Sequence, residues 1–173
     1  MRRSAIFGIG YILMGEDGVG PVVSRFLETH FIFPDNVSLE DLGTPGLDLP
    51  SYLMNHDTVI FVDAVAAEAE PGTIRTFTRE QIVSVAPGIR ISPHEPTIND
   101  ALILLDFAGT APNDVVLVGV VPETLDGGVG LSRAVRDAVP AVAGTVVAEL
   151  VKRGIEVRER ASGEVPAAWW DAA

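Results

Sequence analysis

The sequence predicts a single α/β domain, a three-layer sandwich in which a twisted, mostly parallel sheet carries helices on both faces. Three observations predict it. Short continuous apolar runs at 4–9 (SAIFGI), 58–65 (TVIFVDAV) and 114–121 (DVVLVGVV) read as strands buried on both sides. Segments with helical spacing fall between and after these runs, which is the alternation of a parallel sheet. The 173 residues suit one domain, with no internal repeat and no linker.

The elements follow in order. The run 4–9, closed by Gly10, predicts the first strand. Residues 18–30 place Val19, Val22, Val23, Phe26 and Leu27 on one helical face, with Pro21 tolerated in the first turn. VSLEDL at 37–42 predicts a strand. Residues 46–55 predict a short helix with an irregular start at Pro50. After the strand at 58–65, TIRTFT at 73–78 alternates and suits a sheet edge. A loop is expected around Pro87–Pro96. Residues 97–107 predict a helix with Ile98, Ala101, Leu102 and Leu105 inward. The strand at 114–121 precedes a last helix, capped by Ser132 and closed by Gly154, with a kink expected at Pro140. The domain is assigned to 1–157. Residues 158–173, including Trp169-Trp170, lose periodicity and read as a tail.

Composition removes several classes of function. The formal charge is −12, so nucleic acid and anionic membrane surfaces are not expected partners. There is no cysteine, which excludes disulfides, thiolate metal sites and cysteine nucleophiles. Met1-Arg2-Arg3 and the apolar residues after it are read as the approach to a buried strand, because Gly8, Gly10 and Glu16-Asp17 interrupt the run. No apolar run is long enough to cross a membrane, so no membrane insertion is expected.

In open α/β sheets, ligands bind beyond the carboxyl ends of the strands. Polar residues gather at those ends here: Glu16 and Asp17, Asp41 with the turn Gly43-Thr44-Pro45-Gly46, Asp63, Ser92-Pro93-His94, and Pro122-Glu123. A nucleotide reading starts from Gly8-Ile9-Gly10 after a strand, with Asp41 near the place of a ribose-binding acid. It lacks the third glycine, because position 13 is Leu, and Glu16 and Asp17 would repel a pyrophosphate at the helix start. A metal reading uses Asp17, Asp63 and His94 as three ligands, with one position left for water or substrate. Imidazole with oxygen donors suits zinc and nickel. Structural readings stand beside it: Asp17 could cap a helix, and Asp63 could bond backbone amides.

The other histidines carry less. His30 lies at a helix end beside Phe31, and His56 in the turn Asn55-His56-Asp57, so both read as packing or solvated residues. His94 follows Pro93, where a rigid loop can aim it. No His-Glu-x-x-His helix, Gly-x-Ser-x-Gly elbow or Walker loop is present.

Taken together, these segments resemble a known family. GIGYILMGEDGVG (8–20) is similar to the opening of the hydrogenase maturation endopeptidases, which process the large subunit of [NiFe] hydrogenases. The likeness continues through DLGTPGLDL (41–49), VIFVDAV (59–65), PGTIRTF (71–77), ISPHEP (91–96) and VLVGVVPETLDGGVGLS (116–132). It covers almost the whole chain up to the tail, and the segments in this order are specific. The departures are Tyr11, where the family usually has Asn, and Pro96-Thr97, where a Gly is common.

The resemblance implies that Asp17, Asp63 and His94 are the metal-binding and catalytic set, with Asp41 and Glu16 at positions tied to substrate recognition. It implies a cytoplasmic endopeptidase that removes a C-terminal extension from a nickel-loaded [NiFe] hydrogenase large-subunit precursor. The nickel is carried by that precursor, and zinc or another divalent ion can stand in for it. The alternatives are a non-proteolytic module that binds the precursor, and a nucleotide-binding Rossmann-like protein.

Overall fold

The computed structural model describes residues 2–84, 98–124 and 130–161. In chain order the elements are β1 (Ser4–Ile9), α1 (Val19–His30), β2 (Phe31–Ile32), β3 (Val37–Gly43), α2 (Leu49–Leu53), β4 (Thr58–Ala64), β5 (Ile74–Thr78), α3 (Arg79–Ser84), α4 (Ile98–Ala108), β6 (Asp114–Val120), α5 (Arg133–Lys152) and β7 (Arg158–Glu159). Five strands form one sheet in the order β3-β1-β4-β6-β5. The first four run parallel, and β5 joins β6 antiparallel at the edge.

The order follows from the side chains. Every residue of β1 and β4 is buried, so both need a neighbour on each side and a layer on each face. In β5 Arg75, Thr76 and Thr78 are exposed, side chains on both faces, which suits an edge. On one face α1 and α5 cover Ile6, Ile60, Val62, Val116 and Val118. On the other, α2, α3 and α4 cover Phe7, Val59, Phe61, Val115 and Leu117.

α1 lies unusually close to the strand that feeds it. A Cβ at Gly8 would fall 2.6 Å from the carbonyl oxygen of Gly20 on the helix, and one at Gly20 would fall 2.2 Å from the carbonyl oxygen of Ile9. The two glycines let helix and strand backbones touch, which fixes where α1 starts. In α5, Ser132 Oγ accepts the Val135 N–H at 3.3 Å, the cap expected from sequence. Gly154, at φ +75°, ends the helix.

Several features differ from the sequence expectation. Residues 12–18 form a 3-10 helix before α1, and α3 follows β5 directly. Pro140 lies inside α5, where the sequence puts it, and it and Arg136, whose carbonyl loses its donor, occupy exposed positions. The assigned tail starts with structure: Ile32 and Phe31 pair antiparallel with Arg158 and Glu159. A two-residue ladder is too short to leave a periodic trace. Trp169-Trp170 and the loop expected around Pro87–Pro96 lie outside the described residues. Among the described residues, no helix is long and apolar enough to cross a membrane.

Candidate functional site

The topology creates one crevice at the carboxyl edge of the sheet. From β1 the chain moves to β3 on one side, then returns past β1 to β4 on the other. The loops leaving β1 and β4 therefore diverge, and this is where open α/β sheets bind ligands. The turn after β1 carries Asp17, and the end of β4 carries Asp63. The 3-10 helix of residues 12–18 packs against β4, which brings the two segments together.

Asp17 is held by the turn itself. The chain leaves β1 through Gly10, at φ +124°, whose N–H donates to the Gly43 carbonyl at 2.8 Å. The next N–H, of Tyr11, donates to Asp17 Oδ2 at 2.7 Å. Asp17 is half-buried, and burial pushes its carboxyl above the usual aspartate range, with the Tyr11 N–H pulling the other way. Asp63 is fully buried, and its Oδ1 accepts the N–H of Ala64 at 2.7 Å. It lies in register with Gly119 of β6.

Asp41 sits at the exposed end of β3, where its Oδ1 accepts the Gly43 N–H at 2.9 Å. That bond shapes the turn that receives Gly10. His94 lies outside the described residues. Among the described residues no three His, Asp or Glu side chains gather where a metal ion could sit. His30 stacks on Phe26 with ring centroids 3.9 Å apart and bonds the Phe26 carbonyl, and His56 packs edge-on against Phe7. Both histidines serve packing.

Glu16 and Asp17 point to different tasks. Glu16 is buried, 3% exposed. Its Oε2 accepts the N–H of Glu123 and, at 3.2 Å, that of Thr124. Its Oε1 accepts the N–H of Ser132 at 3.0 Å. Sequence alone places Glu16 only as a second acid beside Asp17. Its partners are more than a hundred residues away and are backbone amides, which have no residue signature.

Two surface features complete the edge. A cleft of about 390 Å³ is lined by Ala66, Ala67, Glu68, Val121, Pro122, Glu123 and Thr124, between the segments that leave β4 and β6. Around the β1 and β3 turns, Tyr11, Leu13, Met14 and Leu47 are exposed, Leu47 to 86%. Apolar side chains left in water beside one another are candidates for a contact surface.

Residues 21–149 match the profile of a family described as hydrogenase maturation protease. The chain belongs to the hydrogenase maturation protease family. Among curated relatives, the hydrogenase 2 maturation protease of Escherichia coli (strain K12) is 33% identical over 159 residues, 91% of this chain and 96% of that protein. The hydrogenase expression/formation protein HupD of Rhizobium leguminosarum bv. viciae is 32% identical over 93% of this chain and 80% of its own length. Among solved structures, the hydrogenase maturating endopeptidase HybD from E. coli superimposes with a TM-score of 0.84 at 33% identity, covering 91% of this chain and 98% of that one. The hydrogenase 2 maturation peptidase from a Thaumarchaeota archaeon gives a TM-score of 0.66 at 32% identity, over 90% of this chain and all of the other. The five-stranded sheet described above is thus the fold of hydrogenase maturation proteases.

Proposed function

We propose that this chain is a cytoplasmic endopeptidase that removes the C-terminal extension of a nickel-loaded [NiFe] hydrogenase large-subunit precursor. The observation that carries the reading is the placement of two acids at the carboxyl edge of the sheet: Asp17 in the turn after β1 and buried Asp63 at the end of the adjacent strand β4, with exposed apolar residues on the β1 and β3 turns. Membership of the maturation protease family supports it.

Asp17, Asp63 and His94 are the residues that would hold the precursor's nickel, or zinc in its place. Carboxylate oxygens and an imidazole are fitting donors for either ion. A divalent ion held there supplies Lewis acidity toward the scissile carbonyl and toward water. The chain's own residues do the positioning. The Tyr11 N–H fixes one oxygen of Asp17, and burial at the end of β4 fixes Asp63. In this reading the exposed apolar side chains receive the polypeptide, and Asp41, exposed on the neighbouring turn, is assigned to recognising it.

The test is the intact mass of a nickel-loaded precursor before and after incubation with this protein, with Asp17→Ala alongside. Loss of a C-terminal peptide with the wild type alone is the expected result. An unchanged mass with a bound precursor would instead indicate a binding module, and the protease reading would be wrong.

A further inference from the structure

We propose that Glu16 is a positioning residue that builds one wall of the substrate cleft, and that it acts on precursor binding and not on the bond-breaking step. The inference rests on the protease reading only for the identity of the substrate.

The geometry of the carboxylate carries it. Both oxygens of Glu16 are committed to backbone N–H groups: Glu123 and Thr124 on one, Ser132 on the other. These donors lie on the segment leaving β6 and at the cap of α5. Glu16 itself lies in the turn after β1. In the sheet, β4 separates β1 from β6 by roughly 10 Å, so the bonds tie together segments that leave strands on either side of the one that bears Asp63. A buried carboxylate is tolerated when such N–H groups replace its water.

Glu123 and Thr124 are also residues of the cleft beside Ala66, Ala67 and Glu68. Their backbone position is thus fixed by the acid next to Asp17 in sequence. Asp17 is held by a separate bond, from Tyr11. The two adjacent acids divide the work: Asp17 is held within its own turn, and Glu16 secures the segment that leaves β6 and lines the cleft. A side-chain amide cannot replace the clamp, because Glu16→Gln puts an NH2 against backbone donors that need an acceptor.

Precursor affinity by calorimetry and cleavage kinetics would be measured for wild type, Glu16→Gln and Glu16→Asp. Arg153→Ala serves as control, since it loosens α5 at the opposite edge of the sheet. Glu16→Gln should weaken precursor binding and raise KM about tenfold or more, with kcat within about threefold of wild type. Glu16→Asp keeps the charge, loses one methylene of reach and should shift binding the same way by less. Arg153→Ala should lower Tm without weakening binding.

Binding by Glu16→Gln within about twofold of wild type would overturn the proposal while leaving the protease intact. So would a loss confined to kcat, or an equal loss of affinity in Arg153→Ala. If the wild type binds the precursor without cleaving it, the protease reading fails and the affinity comparison still decides the role of Glu16. If it does not bind, both fall.

Discussion

A Cβ added to Gly10 would lie 1.7 Å from the carbonyl oxygen of Asp17. The turn that presents the acid therefore closes only around a residue without a side chain. Gly10 also sits at φ +124°, where L residues are strained. Gly10→Ala should cost on the order of 3 kcal/mol and displace Asp17. Denaturant melts and cleavage assays on the same preparation check this, and a stable, active variant would contradict the close approach.

Asp17 is a charge that the fold bears at a cost, because burial pushes its carboxyl up. Asp17→Asn keeps the shape and the acceptor for the Tyr11 N–H. Near neutral pH its Tm should equal or exceed that of the wild type, while cleavage falls on the order of a hundredfold or more. A large drop in Tm would mean that Asp17 is a structural group first.

The turn bond made by Asp41 and the substrate recognition proposed for its carboxylate are separable by substitution. Its Oδ1 accepts the Gly43 N–H, and Asn can keep that bond while losing the charge. Asp41→Asn should preserve stability and raise KM for the precursor. Asp41→Ala should raise KM as well, but lose about 1 kcal/mol of stability from the turn. Equal KM in wild type and Asp41→Asn would remove the carboxylate from substrate recognition.

At the opposite edge, Arg153 grips Asp114 at the start of β6 and Glu149 one turn back on α5, with Nη2–Oδ1 and Nη1–Oε2 distances of 2.8 and 2.7 Å. Burial raises the Glu149 carboxyl, but the hydrogen bonds and charges of Lys152 and Arg153 outweigh it and hold it below the ordinary glutamate value. A lowered folded pKa stabilises above the unfolded value, and that stability is lost as the pH falls through the folded one. Glu149→Gln should therefore cost about 2 kcal/mol at neutral pH. Thermal melts across the carboxylate range should show the gap to wild type closing on acidification. A gap that stays constant would assign the effect to packing.

Much of the fold was legible because burial leaves a pattern in the chain. SAIFGI, TVIFVDAV and DVVLVGVV are apolar on both faces, and they became the adjacent strands β1, β4 and β6. TIRTFT alternates and became the edge strand β5. Ser132 and Gly154 marked the ends of α5 because cap residues act within a turn. The 3-10 helix at 12–18 was hidden, since its break at Met14 and Gly15 has no period. The pairing of β2 with β7 was hidden for the same reason.

The sequence by itself determined which strands are central, which acids stand at their carboxyl ends, and the family to which their order belongs. It placed Glu16 and Asp17 side by side, and the family resemblance gave Asp17 to the metal set and Glu16 to substrate recognition. Only the tertiary structure decided what holds each one, turning Glu16 inward to the N–H groups of Glu123, Thr124 and Ser132 and leaving Asp17 half-buried in the turn after β1. The physical reason is that local patterns record which side chains avoid water. A carboxylate's partners are set by which distant backbone donors the fold brings within about 3 Å of it.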